Sequence, residues 1–189
     1  MALLTLVPPR TFGVVLGCLI PLVSAPVLHS QTPQPGEKAI KAAFLYNFTK
    51  FVEWPQSAFS DAAAPFRVCV FGDAGFRHDV EEMLKGETIG GRALSVVTPD
   101  ANEIKGCHLA YFGPGDAERS AQVLAAMRGV PILTVGEGAR FLQQGGVISF
   151  VLEDNRVRFD VNKRAVDRAG LTVSSKLLRV ARNVDNGQR

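Results

Sequence analysis

Residues 66–84 read FRVCVFGDAGFRHDVEEML, and this stretch decides the fold that the sequence predicts. Its first six residues form a mostly apolar run of the kind found in buried strands. A turn containing Gly72 and Gly75 follows, and apolar residues then recur at helical spacing from Phe76 to Leu84. A buried strand that passes through a turn into a helix is the repeating unit of α/β proteins. We therefore expect an α/β fold.

The chain beyond this stretch repeats the alternation of strands with helices. Three further strands are predicted at Arg92–Val97, His108–Phe112 and Val130–Val135, and helical segments at 101–105, 116–127 and 138–144. Strands joined through helices favour a largely parallel sheet with helices on its faces.

The C-terminal part of the chain is predicted to depart from this pattern and form a β-hairpin. Residues 147–152 and 157–161 are typical of strands, and they flank Asp154-Asn155, a dipeptide that favours tight turns. Two helices are expected after the hairpin, at 165–169 and 174–184. The predicted fold is thus a single, layered α/β domain whose mostly parallel or mixed sheet is flanked by helices, with a C-terminal β-hairpin and helix.

The two ends of the chain are predicted to lie outside this domain. Arg10 precedes a short apolar segment that small residues follow, which is the pattern of an export signal. Cleavage is compatible with Ala25 or Ser30, and an uncleaved anchor or a lipoprotein signal at Cys18 are less favoured alternatives. The expected organisation is a signal peptide at 1–30, a flexible leader at 31–36, the domain at 37–184 and a tail at 185–189.

The stretch KAAFLYNFTKFVEWP, residues 41–55, is predicted to form a helix that begins near Glu37 and ends at Trp54, because Pro55 cannot continue it. Phe44, Phe48 and Phe51 recur at helical spacing and are assigned to the core, with Lys41 and Lys50 on the solvent side. Asn47 lies among the rings and needs a polar partner if it is buried. Trp54, at the helix end, is the best candidate for contact with a partner.

Cys69 and Cys107 are the cysteines that remain once the predicted signal peptide is removed. A lone pair in an oxidising compartment favours a disulfide, and both positions fall on or beside predicted strands that are expected to be neighbours. Two buried free thiols are the alternative. A zinc site that adds His78 and His108 lacks the paired ligand spacing of such sites, so no metal or cofactor is expected.

Composition and motifs argue against nucleic-acid binding and against catalysis. The formal net charge is +3, without a run of basic residues, which gives no basis for nucleic-acid binding. Ser174-Ser175-Lys176 resembles a catalytic serine–lysine pair, but helix capping by Ser174 explains it more simply. The turn at 71–75 is compatible with an anion site, although glycines at such turns more often serve the backbone. A periplasmic small-molecule or anion-binding module, with its pocket at the carboxyl ends of the strands near 72–75 and 113–115, is the alternative function. We expect a protein that is not an enzyme.

Arg156 and Arg158 alternate with apolar residues on the second hairpin strand, so both are expected on one face of the sheet. Asp160 shares that face and is a candidate ion-pair partner for either arginine. A solvated face is one interpretation, and a site for an anion or a protein partner is the other.

Three separated blocks resemble the YfiR-like family of bacterial periplasmic regulators. They are KAAFLYNFTKFVEWP at 41–55, FLQQGGVISF at 141–150 and VRFDVNKRAVDRAGLTVSSKLL at 157–178. Together with the strands between them, the resemblance spans essentially the whole chain beyond the predicted signal peptide.

The resemblance implies a periplasmic protein that regulates by binding. Its best known relatives form homodimers and repress an inner-membrane diguanylate cyclase through the cyclase's periplasmic region. An outer-membrane lipoprotein can sequester them, and other members occur beside other membrane sensors. Some members carry a disulfide at the positions of Cys69 and Cys107, whereas a second disulfide found in some relatives has no counterpart here. Asn47, Trp54, Arg156 and Arg158 are the residues expected to contact a partner or ligand.

Overall fold

A mixed eight-stranded sheet is the frame of the protein, whose structure is a computed structural model that describes residues 36–98, 104–115 and 117–186. The predicted signal peptide, nearly all of the leader, the start of the predicted helical turn at 101–105 and the end of the tail lie outside these residues. The fold described below therefore concerns the predicted domain.

Helices and strands alternate along the described residues, as expected for an α/β fold. The helices are α1 (Glu37–Phe51), α2 (Ala74–Leu84), α3 (Ala117–Ala126), α4 (Gly138–Gln143), α5 (Lys163–Arg168) and α6 (Ser175–Val180). The strands are β1 (Val52–Glu53), β2 (Phe66–Phe71), β3 (Thr88–Ile89), β4 (Arg92–Val97), β5 (Leu109–Phe112), β6 (Leu133–Glu137), β7 (Ile148–Glu153), β8 (Arg156–Asn162), β9 (Thr172–Val173) and β10 (Asn183–Asp185). Short 3₁₀ turns lie at Gln56–Ala58 and Ile104–Gly106.

The large sheet has the strand order β10-β8-β7-β6-β5-β2-β4-β3. The neighbours β4, β2, β5, β6 and β7 pair in parallel. The pairs β7 with β8 and β3 with β4 are antiparallel. This confirms the predicted fold class, a mostly parallel or mixed sheet with a hairpin near one edge. At the hairpin turn Asp154 and Asn155 have φ of 49° and 57°, the left-handed backbone that these two residue types tolerate.

Helices cover both faces of the sheet. On one face α1 and α2 pack against strand residues that include Val68 and Phe159, and Phe48 lies fully buried between the rings of Phe150 and Phe159. The core role predicted for the α1 phenylalanines is confirmed, with Phe44 and Phe51 partly buried in the same cluster. On the other face a second cluster packs under α3 and α4, and it contains Cys69, Phe71, Cys107, Phe112, Leu124 and Phe141.

Two helix ends differ from the prediction, because tertiary pairing overrides helical periodicity. Helix α1 ends at Phe51, and β1 then pairs antiparallel with β9. Helix α6 ends at Val180 instead of continuing to residue 184, and the chain extends into β10, which pairs parallel with β8. The open edge of β8 offers backbone hydrogen bonds that a longer α6 would leave unused.

A disulfide joins Cys69 in β2 to Cys107 just before β5, with a Cα–Cα distance of 5.9 Å. The predicted bridge is confirmed, and the alternatives of free thiols or a zinc site at these cysteines are wrong. The bond closes a loop with a sequence separation of 38 and lies in the buried core under α3.

Candidate functional site

Trp54 lies at the edge of the sheet where the parallel strands have their N-terminal ends. Helix α1 runs opposite to those strands: Lys41 near its start reaches Glu137 at the end of β6, and Trp54 beyond its end contacts Phe66 at the start of β2. The indole Nε1 donates a hydrogen bond to the backbone oxygen of His108 at 3.0 Å, and the ring meets Phe66 edge-on with centroids 4.8 Å apart. Trp54 is half-buried, so its ring is held in place while part of it faces outward.

An aromatic cluster stands beside Trp54. The His108 ring packs against both Phe66 and Phe59, with centroid distances of 4.9 Å and 4.5 Å, and these two rings are 6.5 Å from each other. The Arg92 guanidinium lies over the Phe59 ring at 3.9 Å and donates to the backbone oxygens of Asp61 and Ala64, each at 2.8 Å. These contacts fasten the segment between α1 and β2, which has little regular structure of its own, to the edge of the sheet.

His108 is buried and makes two backbone contacts that define its neutral form. Its Nδ1 accepts from the Arg67 N–H at 2.9 Å, so Nε2 carries the proton and donates to the Ala58 oxygen at 3.1 Å. Burial lowers the pKa of His108, and the positive charges of Arg92 and Arg67 act in the same direction against the opposing effect of the Ala58 carbonyl. Protonation at Nδ1 removes the bond from Arg67, so the aromatic cluster depends on a neutral His108 ring.

The other predicted contact residues lie elsewhere. Asn47 is exposed on α1, so it needs no buried polar partner. Arg156 and Arg158 are exposed on β8 near the hairpin turn, beyond the end of β6, whereas Trp54 lies at the opposite end of the strands. The structure does not bring the arginines together with Trp54. All four residues remain predicted contact sites.

Asp160 does not pair with the hairpin arginines, which corrects the expectation from the sequence. Its carboxylate binds Arg182, whose Nε and Nη2 donate to Oδ1 and Oδ2 at 2.8 Å and 2.5 Å. Arg182 precedes β10 and had been assigned to a longer last helix. Because the helix ends early, the guanidinium reaches the buried Asp160 and fastens β10 to β8.

A partly buried ionic cluster lies at the other end of α1, where Lys41 is buried although helical spacing predicts it in solvent. Lys41 Nζ contacts both carboxylate oxygens of Glu137, at 2.8 Å and 2.9 Å, and Glu37 at 2.6 Å. Tyr111 donates to the same Glu137 at 2.6 Å. Burial alone would lower the pKa of Lys41, but the two glutamates outweigh burial and raise it, so the lysine stays charged. Every group of the cluster has a partner, and the cluster ties α1 to β5 and β6.

The glycine turn at 71–75 serves the backbone. Asp73 caps α2 by accepting from the Phe76 N–H at 2.9 Å, and Lys38 pairs with the same carboxylate at 2.9 Å. The nearby cavity, beside Gly113 and Gly115, has a volume of about 70 Å³, which holds a few water molecules at most. This cavity, at the end of the strands where a ligand pocket is predicted, is too small for an organic molecule.

A much larger cavity, of about 520 Å³, lies on the α3 and α4 face where β6 begins. Arg128, Arg164 and Arg168 line it, and they come from the end of α3 and from α5. The lining residues are scattered between positions 124 and 185, so no local motif announces the cavity.

Two arrangements that the sequence suggested for chemistry have a simpler account in the described residues. Ser174 caps α6 by accepting from the Lys176 N–H at 3.2 Å, as the simpler interpretation of that motif predicted. Within the described ranges, no group of three His, Cys, Asp or Glu side chains is placed to hold a metal ion. None of the described helices is long and apolar enough to cross a bilayer.

The fold and its disulfide define a single α/β domain with a half-exposed tryptophan at one edge of its sheet. Comparison with protein families is specific: residues 38–182 match the YfiR/HmsC-like family. The match covers well over half of the chain, and the protein belongs to this family.

Solved structures give more distant similarities. One is an ABC domain from Streptococcus pneumonia, determined in complex with L-Trp, with 13% identity and a TM-score of 0.47 over 64% of this chain and 55% of that chain. Another is a conserved domain protein from Vibrio cholerae O1 biovar eltor, with 13% identity and a TM-score of 0.43 over 62% of this chain and 54% of that one. The chain spans about half the length of these structures.

Proposed function

We propose that the protein is a periplasmic regulator that binds the periplasmic region of a membrane-bound diguanylate cyclase, or of a similar membrane sensor, and represses it. The observation that carries this proposal is the family match over residues 38–182. The family resembled by the sequence is one of regulators that act by contact, without a chemical step.

The mechanism is a population shift. A membrane sensor that exchanges between inactive and active states is held inactive by a protein that binds the inactive state more tightly. To move such an equilibrium from mostly active to mostly inactive takes differential binding of about 5.5 kcal/mol, which a protein interface of ordinary size supplies. An outer-membrane lipoprotein that binds the regulator in competition releases the sensor, and a homodimer would present the contact surface twice.

The surface around Trp54 suits this role better than the hairpin. Its ring is held by a hydrogen bond and an aromatic contact, so little conformational entropy is lost when a partner covers the remainder. Half-exposed tryptophans in a rigid setting dominate the binding energy of many interfaces. The disulfide beneath His108 adds to this rigidity, since Cys107 directly precedes it.

Deletion of the gene tests the proposal in the cell. We expect cyclic di-GMP and surface attachment to rise in the deletion strain and to return to the original levels when the gene is restored. A restored gene without the codons for residues 1–30 is the matched control, and it should fail because its product stays in the cytoplasm. Unchanged cyclic di-GMP in the deletion strain, with every membrane cyclase expressed, would contradict a cyclase partner.

A further inference from the structure

The large cavity on the α3 and α4 face has the size and charge of a ligand site. Its volume of about 520 Å³ falls within the range of about 300–1,000 Å³ that is usual for small-molecule pockets. Three arginines and one aspartate, Asp185, are the charged residues of its lining, which leaves an excess of two positive charges. Nothing in the proposed regulation requires this cavity, so the inference goes beyond that function.

Within the described part of the chain, the arginines of this cavity lack the carboxylate partners that Arg77 and Arg182 have. Arg77 and Arg182 are paired with carboxylates. Among the described residues, none of Arg128, Arg164 and Arg168 takes part in an ion pair. Three like charges converging on one concave space repel one another, and a bound anion relieves that repulsion.

Arg128, Arg164 and Arg168 are exposed, so their guanidinium groups lie where a ligand from solvent can reach them. The Arg168 guanidinium lies near the loop after α4, beside Gly145. Asn162 is buried in the lining and fully engaged, since it accepts from the Ala165 N–H at 3.0 Å and donates to the Leu142 oxygen at 3.2 Å. These bonds fix the start of α5, and thereby the positions from which Arg164 and Arg168 extend.

The remainder of the lining is mixed, with the polar residues Thr134, Gln143, Gln144 and Asn162 beside apolar ones. Leu124, Met127 and Ile132 are buried side chains that form part of the wall beside the arginines. Guanidinium groups bind phosphate oxygens through paired, charge-assisted hydrogen bonds, and an apolar wall suits a ring. We infer that this cavity binds an organic phosphate monoester, with the phosphate on the arginines and the organic group against the apolar wall.

Calorimetric titration of the purified protein tests the inference, with uridine monophosphate, uridine and inorganic phosphate as probes. Uridine monophosphate should bind more tightly than either uridine or phosphate, because it alone engages both parts of the cavity. Arg168→Gln should weaken its binding about tenfold or more, and Arg179→Gln, an exposed arginine of α6 outside the cavity, should leave it unchanged. The affinity should also fall as salt is raised.

Backbone amide shifts in nuclear magnetic resonance spectra locate the bound ester. We expect the largest shifts at Gly129 and Gly145, which line the cavity, and unchanged melting temperatures for both arginine variants. Equal affinity for uridine and its monophosphate, or equal affinity in the two arginine variants, would overturn the inference. Shifts confined to the surface around Trp54 would overturn it as well. Loss of regulation in the cell with intact ester binding would instead count against the proposed function alone.

Discussion

At the scale of single residues, the clearest departure from sequence patterning is Lys41. Helical periodicity placed it in solvent, as it does for most lysines on an amphipathic helix. The structure buries it because Glu137, at the end of a strand almost a hundred positions away, faces the same point. A local pattern cannot show a partner that only the folded chain brings near.

Replacement of Lys41 by alanine tests the weight of this cluster. Lys41→Ala leaves the Glu137 carboxylate half-buried and short of a counter-charge, so we expect the free energy of unfolding to fall by about 2–3 kcal/mol. Lys85→Ala removes a lysine from an exposed ion pair with Glu82 and should cost less than about 1 kcal/mol. Urea unfolding measures both changes in the free energy of unfolding. Equal losses in the two variants would show that the Lys41 cluster stabilises the protein no more than an exposed ion pair does.

His108 makes the stability depend on pH in a defined direction. Its pKa in the folded protein lies below 6.5, so as the pH falls through 6.5 the unfolded chain takes up a proton that the folded protein refuses. Its contribution to stability is complete above pH 6.5 and is lost as the pH falls toward the folded-state pKa, at a rate of at most about 1.4 kcal/mol per pH unit.

Unfolding measured between pH 7.5 and about 5 checks this prediction. His108→Gln should be less stable than the parent at pH 7.5 and should show a flatter dependence on pH. His78→Gln alters an exposed histidine on α2 and should keep the slope of the parent protein. A parent slope that survives in His108→Gln would assign the pH dependence to other groups.

At the scale of elements, the helices and strands that were predicted correctly are those marked by a pattern within their own residues. The boundaries of β2 and β4 follow from runs such as FRVCVF, and the hairpin follows from Asp154-Asn155 at its turn. The short strands β1, β9 and β10 were missed, because two or three residues carry no periodicity and exist as strands only through their partners. The proposed contact residue Trp54 follows from its place at the helix end, whereas the aromatic cluster beside it depends on residues from four separate segments.

The disulfide is an element-scale constraint whose effect is measurable. Paired replacement of Cys69 and Cys107 by alanine should lower the free energy of unfolding of the oxidised protein by about 4 kcal/mol, because the bond closes a loop with a separation of 38. Under reducing conditions the variant and the parent should unfold at similar temperatures. A difference that persists after reduction would assign the effect to packing in the core beneath α3.

At the scale of the whole molecule, the two ends of the parallel strands present different surfaces. Trp54 and its stacked neighbours occupy one end, and the hairpin with Arg156 and Arg158 occupies the other. A regulator that binds one partner through one surface should be sensitive to substitutions at one end only. This separation makes the location of the interface a question with a clear experimental answer.

Trp54→Phe and Leu152→Ala form a matched pair for that question. Trp54→Phe keeps a ring against Phe66 but loses the indole donor and contact area, and we expect about tenfold weaker binding to the periplasmic region of the regulated sensor, with an unchanged circular dichroism spectrum. Leu152 is 56% exposed on the hairpin, and Leu152→Ala should not alter binding. The reverse pattern, measured by surface plasmon resonance, would move the interface to the hairpin and its arginines.

The small ladder between β1 and β9 has a consequence for how the chain reaches its native state. It pairs Val52 with Val173, about 120 positions apart, and the Ser174 N–H donates to the Phe51 oxygen at 2.9 Å beside it. Contacts of such long range slow folding, because the entropy of closing a long loop is lost before the contact forms. The strand β1 therefore has no strand partner until the last part of the chain is available. In an exported chain, as we propose this one to be, the ladder can form only after nearly the whole domain has emerged.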